Sequence, residues 1–457
     1  MPIRSALTAP AACLALLLVL AASARAQGPA GAQAPAGAGD GLPVALFTQR
    51  DGPLAAAGNA VANGFSDYFT MINRRDGGIG GLRIAVRECE TGGETARGLA
   101  CYEEATAAGA VAVSPWSADT AAALLTRTGA DRVPLVAVGN GPPLAARGAV
   151  FPFAFAPPAT VWDGLGVALA ALMEGLGGPE GLRGKRLAYL HRDSPAGREP
   201  VRLLEALAAD LGVSLRTYAL RSEGGDAAAD PWRAARAGAP DYLILDGSAG
   251  LSGSPLAEAA AAGIPLSRIV ALGGPGEAEL RRAGPAARGF REVTWHAVTD
   301  SFPTFDQIDL LAIDAGASRT PKEEATGLLY NRGVYNAVVV AEGIRNAQRL
   351  AGTARVDGEA VRRGLEAVRL DGARWKELGL TGFAASLTLT CADHSGHQAG
   401  FLMEWTGARW VQVSDKLNPL RQRIRPHLDA AVRDFLARYA AEAGRPWPER
   451  PDPCDRT

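Results

Sequence analysis

The segment Leu42–Thr48 (LPVALFT) and the stretch Asn63–Glu104 beyond it constrain this chain more than any other feature. The first is a short apolar strand. Ala57–Asn73 then places Val61, Phe65, Tyr68, Phe69 and Ile72 on one face at helical spacing. Gly77-Gly78-Ile79-Gly80-Gly81 breaks that helix, Leu82–Val86 reads as a strand, and Thr95–Ala108 as a second helix. Strand, helix, strand in this order is a βαβ unit, and its two strands lie parallel.

The alternation continues. Strand Ala110–Val113, the loop SPWSADT, helix Ala118–Thr128 and strand Val133–Val138 complete a first series. A second begins after Pro157-Pro158 with helix Thr160–Leu176, strand Arg186–His191, helix Glu199–Leu211 and strand Val213–Leu220. It continues with a helix at Asp226–Ala237, strand Tyr242–Leu245, helix Pro255–Ala262 and strands Arg268–Leu272 and Gly289–Trp295. Helices are then expected at Phe305–Gly316, Lys322–Arg349 and Gly358–Ala367. A hairpin pattern covers Ser386–Asp415, turning at Asp393–Gly396 and Thr406-Gly407, and a last helix covers Pro426–Ala443. Two such series predict an α/β fold of two doubly wound, Rossmann-like lobes.

Residues 1–26 have a basic n-region at Arg4, an apolar run and an Ala-Arg-Ala step, which reads as a cleaved signal peptide. Residues 27–41 are Gly, Ala and Pro in low-complexity order and read as a flexible linker. The roughly 415 residues that remain exceed one ordinary core. A formal net charge of -1 gives no basic field for nucleic acid and no polybasic membrane patch, and no later segment is long and apolar enough to span a bilayer. After the leader, with its Cys13, four cysteines remain: Cys89, Cys101, Cys391 and Cys454. An even number in an exported chain suggests disulfides. Cys89 at a strand end and Cys101 in the next helix form a local pair, which by elimination leaves Cys391 with Cys454; free buried thiols are the alternative.

Catalytic motifs are missing. There is no G-x-S-x-G elbow, and GPEGLRGKR departs from a phosphate loop at Pro179 and Arg186. Asp393, His394 and His397 have the wrong spacing for a helical zinc motif and fall on a turn, so no metal or other cofactor is expected. Glu103 and Glu104 read as a solvated helix face. Arg50, after the first strand, reads as a surface arginine that could also meet a carboxylate. The loops after the strands are better candidates, because open parallel sheets bind ligands at the carboxyl ends of their strands. Trp116, Ser117, Asn140, Gly141, Ser194 and Ser248 occupy such loops. Ser117 can cap a helix, contact a ligand, or both.

The pieces NGFSDYFTMINRRDGGIGG, ECETGGETARGLACYEE, SPWSADT, VFPFAFAPPAT, HRDSPAGREP, LLYNRGVYNAVVVAEGIRNAQ and TCADHSGH span nearly the whole mature chain. Taken in order, they resemble the extracytoplasmic solute-binding proteins of branched-chain amino-acid-type ABC transporters. The resemblance implies a type I periplasmic binding protein fold with three hinge crossovers, near Pro157, Thr299 and Ser386. Lobe 1 is then 42–156 plus 299–385, lobe 2 is 157–298 plus 386–445, and 446–457 is a C-terminal tail. It also implies that Ser117, Asn140 and Gly141 hold a ligand carboxylate. An acid that meets a ligand amino group in relatives is displaced by one position here, to Glu277, with Asp246 and Ser248 as substitutes; Ala196 stands where relatives commonly have tyrosine. The same resemblance implies a monomeric, non-enzymatic periplasmic protein that is not membrane-embedded. It would take a small-molecule ligand, a branched-chain amino acid or a related carboxylate or amide, to an ABC permease with separate ATPase subunits. A sensory ligand-binding subunit and an exported hydrolase are the rival readings.

Overall fold

The order of the strands within each sheet decides where a crevice can form. The structure, a computed structural model, describes residues 41–454 apart from 53, 138, 140, 221–229, 247–254 and 451. The expected signal peptide and nearly all of the linker lie outside these residues. The first sheet contains β1 (Gly41–Thr48), β2 (Arg83–Glu90), β3 (Ala112–Pro115), β4 (Leu135–Val136) and β5 (Ala154–Phe155) in the order β2-β1-β3-β4-β5. All its pairings are parallel, with Leu42 opposite Ile84 and Val44 opposite Ala112.

The second sheet contains β6 (Arg186–Arg192), β7 (Ser214–Leu220), β8 (Tyr242–Leu245), β9 (Ile269–Ala271) and β10 (Arg291–Thr294), also parallel. A small pair, β11 (Arg369–Leu370) and β12 (Leu387–Thr388), stands apart. β13 (Phe401–Trp405) and β14 (Trp410–Gln412) extend the second sheet antiparallel from β10, giving the order β14-β13-β10-β9-β8-β6-β7. The expected α/β fold with two doubly wound sheets is therefore present.

Helix packing obeys the sequence pattern. The Ala55–Arg75 helix buries Val61, Phe65, Phe69 and Ile72, the stripe read from spacing. It crosses the Leu328–Ala351 helix at two glycines. A Cβ on Gly64 would come within 2.1 Å of the Tyr330 carbonyl oxygen, and one on Gly333 within 2.1 Å of the Val61 oxygen. No other residue fits that approach. The first sheet's core collects Phe65, Phe69, Val338 and Leu365 on one face and Phe47, Tyr102 and Leu124 on the other. The second sheet's main core gathers Trp162, Leu165, Tyr189, Leu204 and Trp295. Ala57, Val61, Leu328 and Leu329 belong to the same apolar cluster as Leu190, Leu245 and Ala271, so the two layers are packed together at the base of the cleft.

Several expectations shift. The Ser386–Asp415 pattern is not one hairpin. β12 pairs with β11, Leu387 and Leu389 join the first sheet's core, and only β13–β14 forms a hairpin, turning at Thr406-Gly407. The expected helix at Phe305–Gly316 is a short helix, Pro303–Ile308, continued by a π turn through Ile313. The expected helix at Asp226–Ala237 begins at Pro231, capped by Asp230; its first residues lie outside the described ones.

Both expected disulfides form, Cys89 with Cys101 and Cys391 with Cys454. The second fastens a chain end that is packed rather than loose. Trp447 packs edge-on against Phe435 and Tyr439 and donates its Nε1–H to the Val150 oxygen. Arg450 is paired with Glu366 at 2.8 Å.

Candidate functional site

In each sheet the chain reverses its winding direction once. In the first, β2 lies to one side of β1 and β3 to the other; in the second, β7 and β8 flank β6 in the same way. The loops leaving β1, β3, β6 and β8 therefore diverge and open a crevice at the strands' carboxyl ends. The two crevices meet around a cavity of about 150 Å³. The first sheet contributes Gln49, Trp116, Ser117, Gly139 and Gly141. The second contributes Arg192, Ala196, Glu199, Asp246 and Gly273–Gly276. The Leu328–Ala351 helix adds Leu329 and Arg332.

Four of the expected residues line this cavity: Trp116, Ser117, Gly141 and Asp246. The Ser117 hydroxyl also caps the Ala118–Leu124 helix, accepting the Thr120 N–H at 3.3 Å. Ser194 caps the next short helix, accepting the Gly197 N–H, and does not line the cavity. Glu277 is engaged elsewhere, accepting the Leu328 N–H at 2.6 Å and the Trp410 Nε1–H at 2.9 Å. Its neighbour Glu279 lines the cavity instead. Asn140 and Ser248 lie outside the described residues. Arg50 is paired with Glu88 at 2.7 Å and turned away, with Gln49 facing the cavity in its place. Asp393 accepts the Ser395 and Gly396 N–H groups, closing the expected polar turn. His394 donates its Nδ1–H to the Ala154 oxygen and places Nε2 3.1 Å from Glu366, and His397 meets Asp163 at 2.7 Å. Among the described residues no His, Cys, Asp and Glu group is arranged to hold a metal ion.

Apart from Asp246, sequence reading missed the charged residues that give the cavity its electrostatics. Asp119, on the first-sheet side, pairs with Arg192 at 3.2 Å and accepts the Ala196 N–H at 2.9 Å, so it bridges the cleft. Burial pushes the Glu199 carboxyl up to about 7, although it accepts the Trp162 Nε1–H at 2.7 Å. Burial also raises Asp246, against the pull of Arg192. Arg332, on the cavity wall, approaches Glu292 to 3.6 Å, and both are almost wholly buried. Burial pushes Glu292 up to about 8 and lowers Arg332. One signal pointed to this pair. Arg332 sits in an otherwise apolar helical run, LLYNRGVYNAVVVA, and Glu292 at an inward position of a strand.

Two α/β layers that present opposed switch points to one cavity, with no nucleophile elbow in the sequence, define a clamshell ligand-binding protein. The sequence matches the periplasmic binding protein family over residues 41–409, and the chain belongs to that family. The family is a solute-binding one and generally non-enzymatic; substrate-binding proteins of ABC transporters bind small ligands and deliver them to permeases. The chain is similar, at 31% identity and a TM-score of 0.78, to a solved protein of the Pseudomonas fluorescens group described as an ABC transporter permease. That likeness covers 90% of this chain and 99% of the other. The fold is shared with a Thermus thermophilus branched-chain amino acid ABC transporter protein with bound valine (21% identity, TM-score 0.68, covering 83% and 98%). It is also shared with an R. palustris solute-binding protein in complex with benzoate (17% identity, TM-score 0.61, covering 83% and 97%). No curated protein matches the sequence. Among the described residues, no helix is long and apolar enough to cross a membrane.

Proposed function

We infer that this protein is the periplasmic solute-binding component of an ABC importer, exported by a signal peptide ending at Ala26. It acts as a monomer that captures a branched-chain amino acid or a related small carboxylate or amide between two lobes. The lobes are 42–156 plus 299–385 and 157–298 plus 386–445, and they turn about segments near Pro157 and Thr299. The third turning segment lies near Ser386, extended toward β13 by the pairing of β12 with β11. Trp116, Ser117, Gly141 and Asp246 contact the guest. The observation that carries this reading is the cavity where the two switch points meet. A cavity of this size accommodates a benzene-sized body. ATP hydrolysis belongs to a separate subunit, since this chain has no phosphate loop.

A guest can shift the lobes toward closure only through its higher affinity for the closed form. It then also stabilises the fold, by about 2.7 kcal/mol at a hundredfold excess over its dissociation constant. A thermal-shift screen of amino acids, aromatic acids, amides and ureas is expected to find one class that raises the melting temperature. In that class Ser117→Ala is expected to weaken binding more than folding. No shift with any compound in the screen rejects solute capture.

A further inference from the structure

Arg332 is 6% exposed, and its Nη2 has no hydrogen-bond partner among the described residues. The nearest carboxylate, Glu292, is 3.6 Å away, beyond hydrogen-bond range. Guanidinium keeps its charge in proteins, so a buried, unpaired donor is a standing cost unless something else fills the position. Arg332 lines the cavity, and its side chain runs along Gly139, whose missing Cβ would sit 3.4 Å from Arg332 Cδ. The side chain thus forms part of the cavity wall beside Gly139, with Nη2 closed off behind that wall on the Glu292 side.

The surrounding groups do not neutralise it. Among the described residues Glu292 meets only the Gly274 backbone and, at 3.6 Å, Arg332, and burial keeps it largely protonated at neutral pH. Of the other two arginines that line the cavity, Arg192 is held by Asp119 and Arg282 is exposed. A receptor for an ammonium group is harder to find. Glu277 is held by Leu328 and Trp410, Glu199 is tied to Trp162, Asp246 lies beside Arg192, and Glu279 is already engaged. Leu54, Ala57, Trp116, Val161 and Leu329 supply apolar walls.

We propose that Arg332 anchors a carboxylate, and that the preferred guest is an organic monocarboxylate with a compact apolar body and no ammonium group. This rests on the solute-capture reading and narrows its guest. A guanidinium presents two parallel N–H groups to a carboxylate, a geometry that neither an amide nor a hydroxyl matches.

The test uses matched probes on the full mature chain by titration calorimetry at pH 7.5: benzoate against benzamide, and 4-methyl-2-oxopentanoate against leucine. Benzoate is expected to bind at least about tenfold more tightly than benzamide, the ratio for one charge-assisted contact, and the keto acid more tightly than leucine, whose ammonium group finds no receptor. Arg332→Gln is expected to lose about ten- to hundredfold of the acid affinity, and Arg332→Lys a smaller part. Circular dichroism checks that both variants remain folded, and the wild-type comparison stands even if neither does. Benzamide binding as tightly as benzoate overturns the anchor, and leucine binding as tightly as its keto acid overturns the exclusion of an ammonium group; both leave solute capture intact. Acid affinity unchanged in a folded Arg332→Gln also overturns the anchor. If no acid binds but another solute raises the melting temperature, the anchor alone falls. If nothing binds, both readings fall.

Discussion

Replacing Glu292 by glutamine isolates the energetic consequence of placing an acid under the cavity. Burial moves its pKa from an ordinary 4.5 to about 8. The direction fixes the sign. Below 4.5 the group is protonated whether the chain is folded or unfolded, and it costs nothing. As pH rises from 4.5 to 8 the unfolded chain releases this proton while the folded one retains it, so stability falls across that window and then levels off. A difference of about 3.5 units at about 1.4 kcal/mol each sets a ceiling of roughly 5 kcal/mol. Glutamine has the same shape and no proton to release. The variant should therefore gain on the wild type as pH rises, with the gap opening between pH 4.5 and 8 and constant above. Urea unfolding monitored by tryptophan fluorescence at pH 4.5, 6, 7 and 8.5 measures both proteins. Other titrating groups, His397 among them, are common to the two and cancel in the difference. A stability gap that does not change over this range refutes the reasoning.

Two further outcomes test the cleft and the chain end. Asp119→Asn removes one side of the ion pair with Arg192 and weakens the bond from the Ala196 N–H. A part-buried, charge-assisted contact of this kind is worth about 1–2 kcal/mol, so the ligand-free protein should become more open in small-angle scattering and bind its guest several-fold more weakly; unchanged scattering and affinity count against a cross-cleft role. The double variant Cys391→Ser/Cys454→Ser opens a loop with a sequence separation of 63. On the loop-entropy account this costs roughly 4 kcal/mol, and calorimetry should show a clear fall in melting temperature; an unchanged transition contradicts a stabilising role for this bridge.

How much could be read from the sequence depended on the range of the signal. Periodicity is local, so the Ala55–Arg75 helix, the strands around it and the loops bearing Trp116, Ser117 and Gly141 were all legible. The local Cys89–Cys101 pairing was legible for the same reason. β12 was misplaced because a two-residue strand has almost no pattern of its own. Its pairing with β11 is decided by the packing of Leu387 and Leu389. The position of Glu277 in a post-strand loop gives no hint that Trp410 and Leu328 hold it. Arg332 and Glu292 come from distant segments, one on a helix and one on a strand. Each looks like an isolated charge until the fold brings them together.

The glycine contact between the Ala55–Arg75 and Leu328–Ala351 helices has a consequence for how such a receptor can change its diet. Gly333 adjoins Arg332, and even one methyl group there collides with a neighbouring carbonyl. Position 333 is thus closed to variation, whereas 332 is not bound by that backbone contact. New tastes can be acquired at the tip of the side chain, while the rivet that aims it must stay as it is.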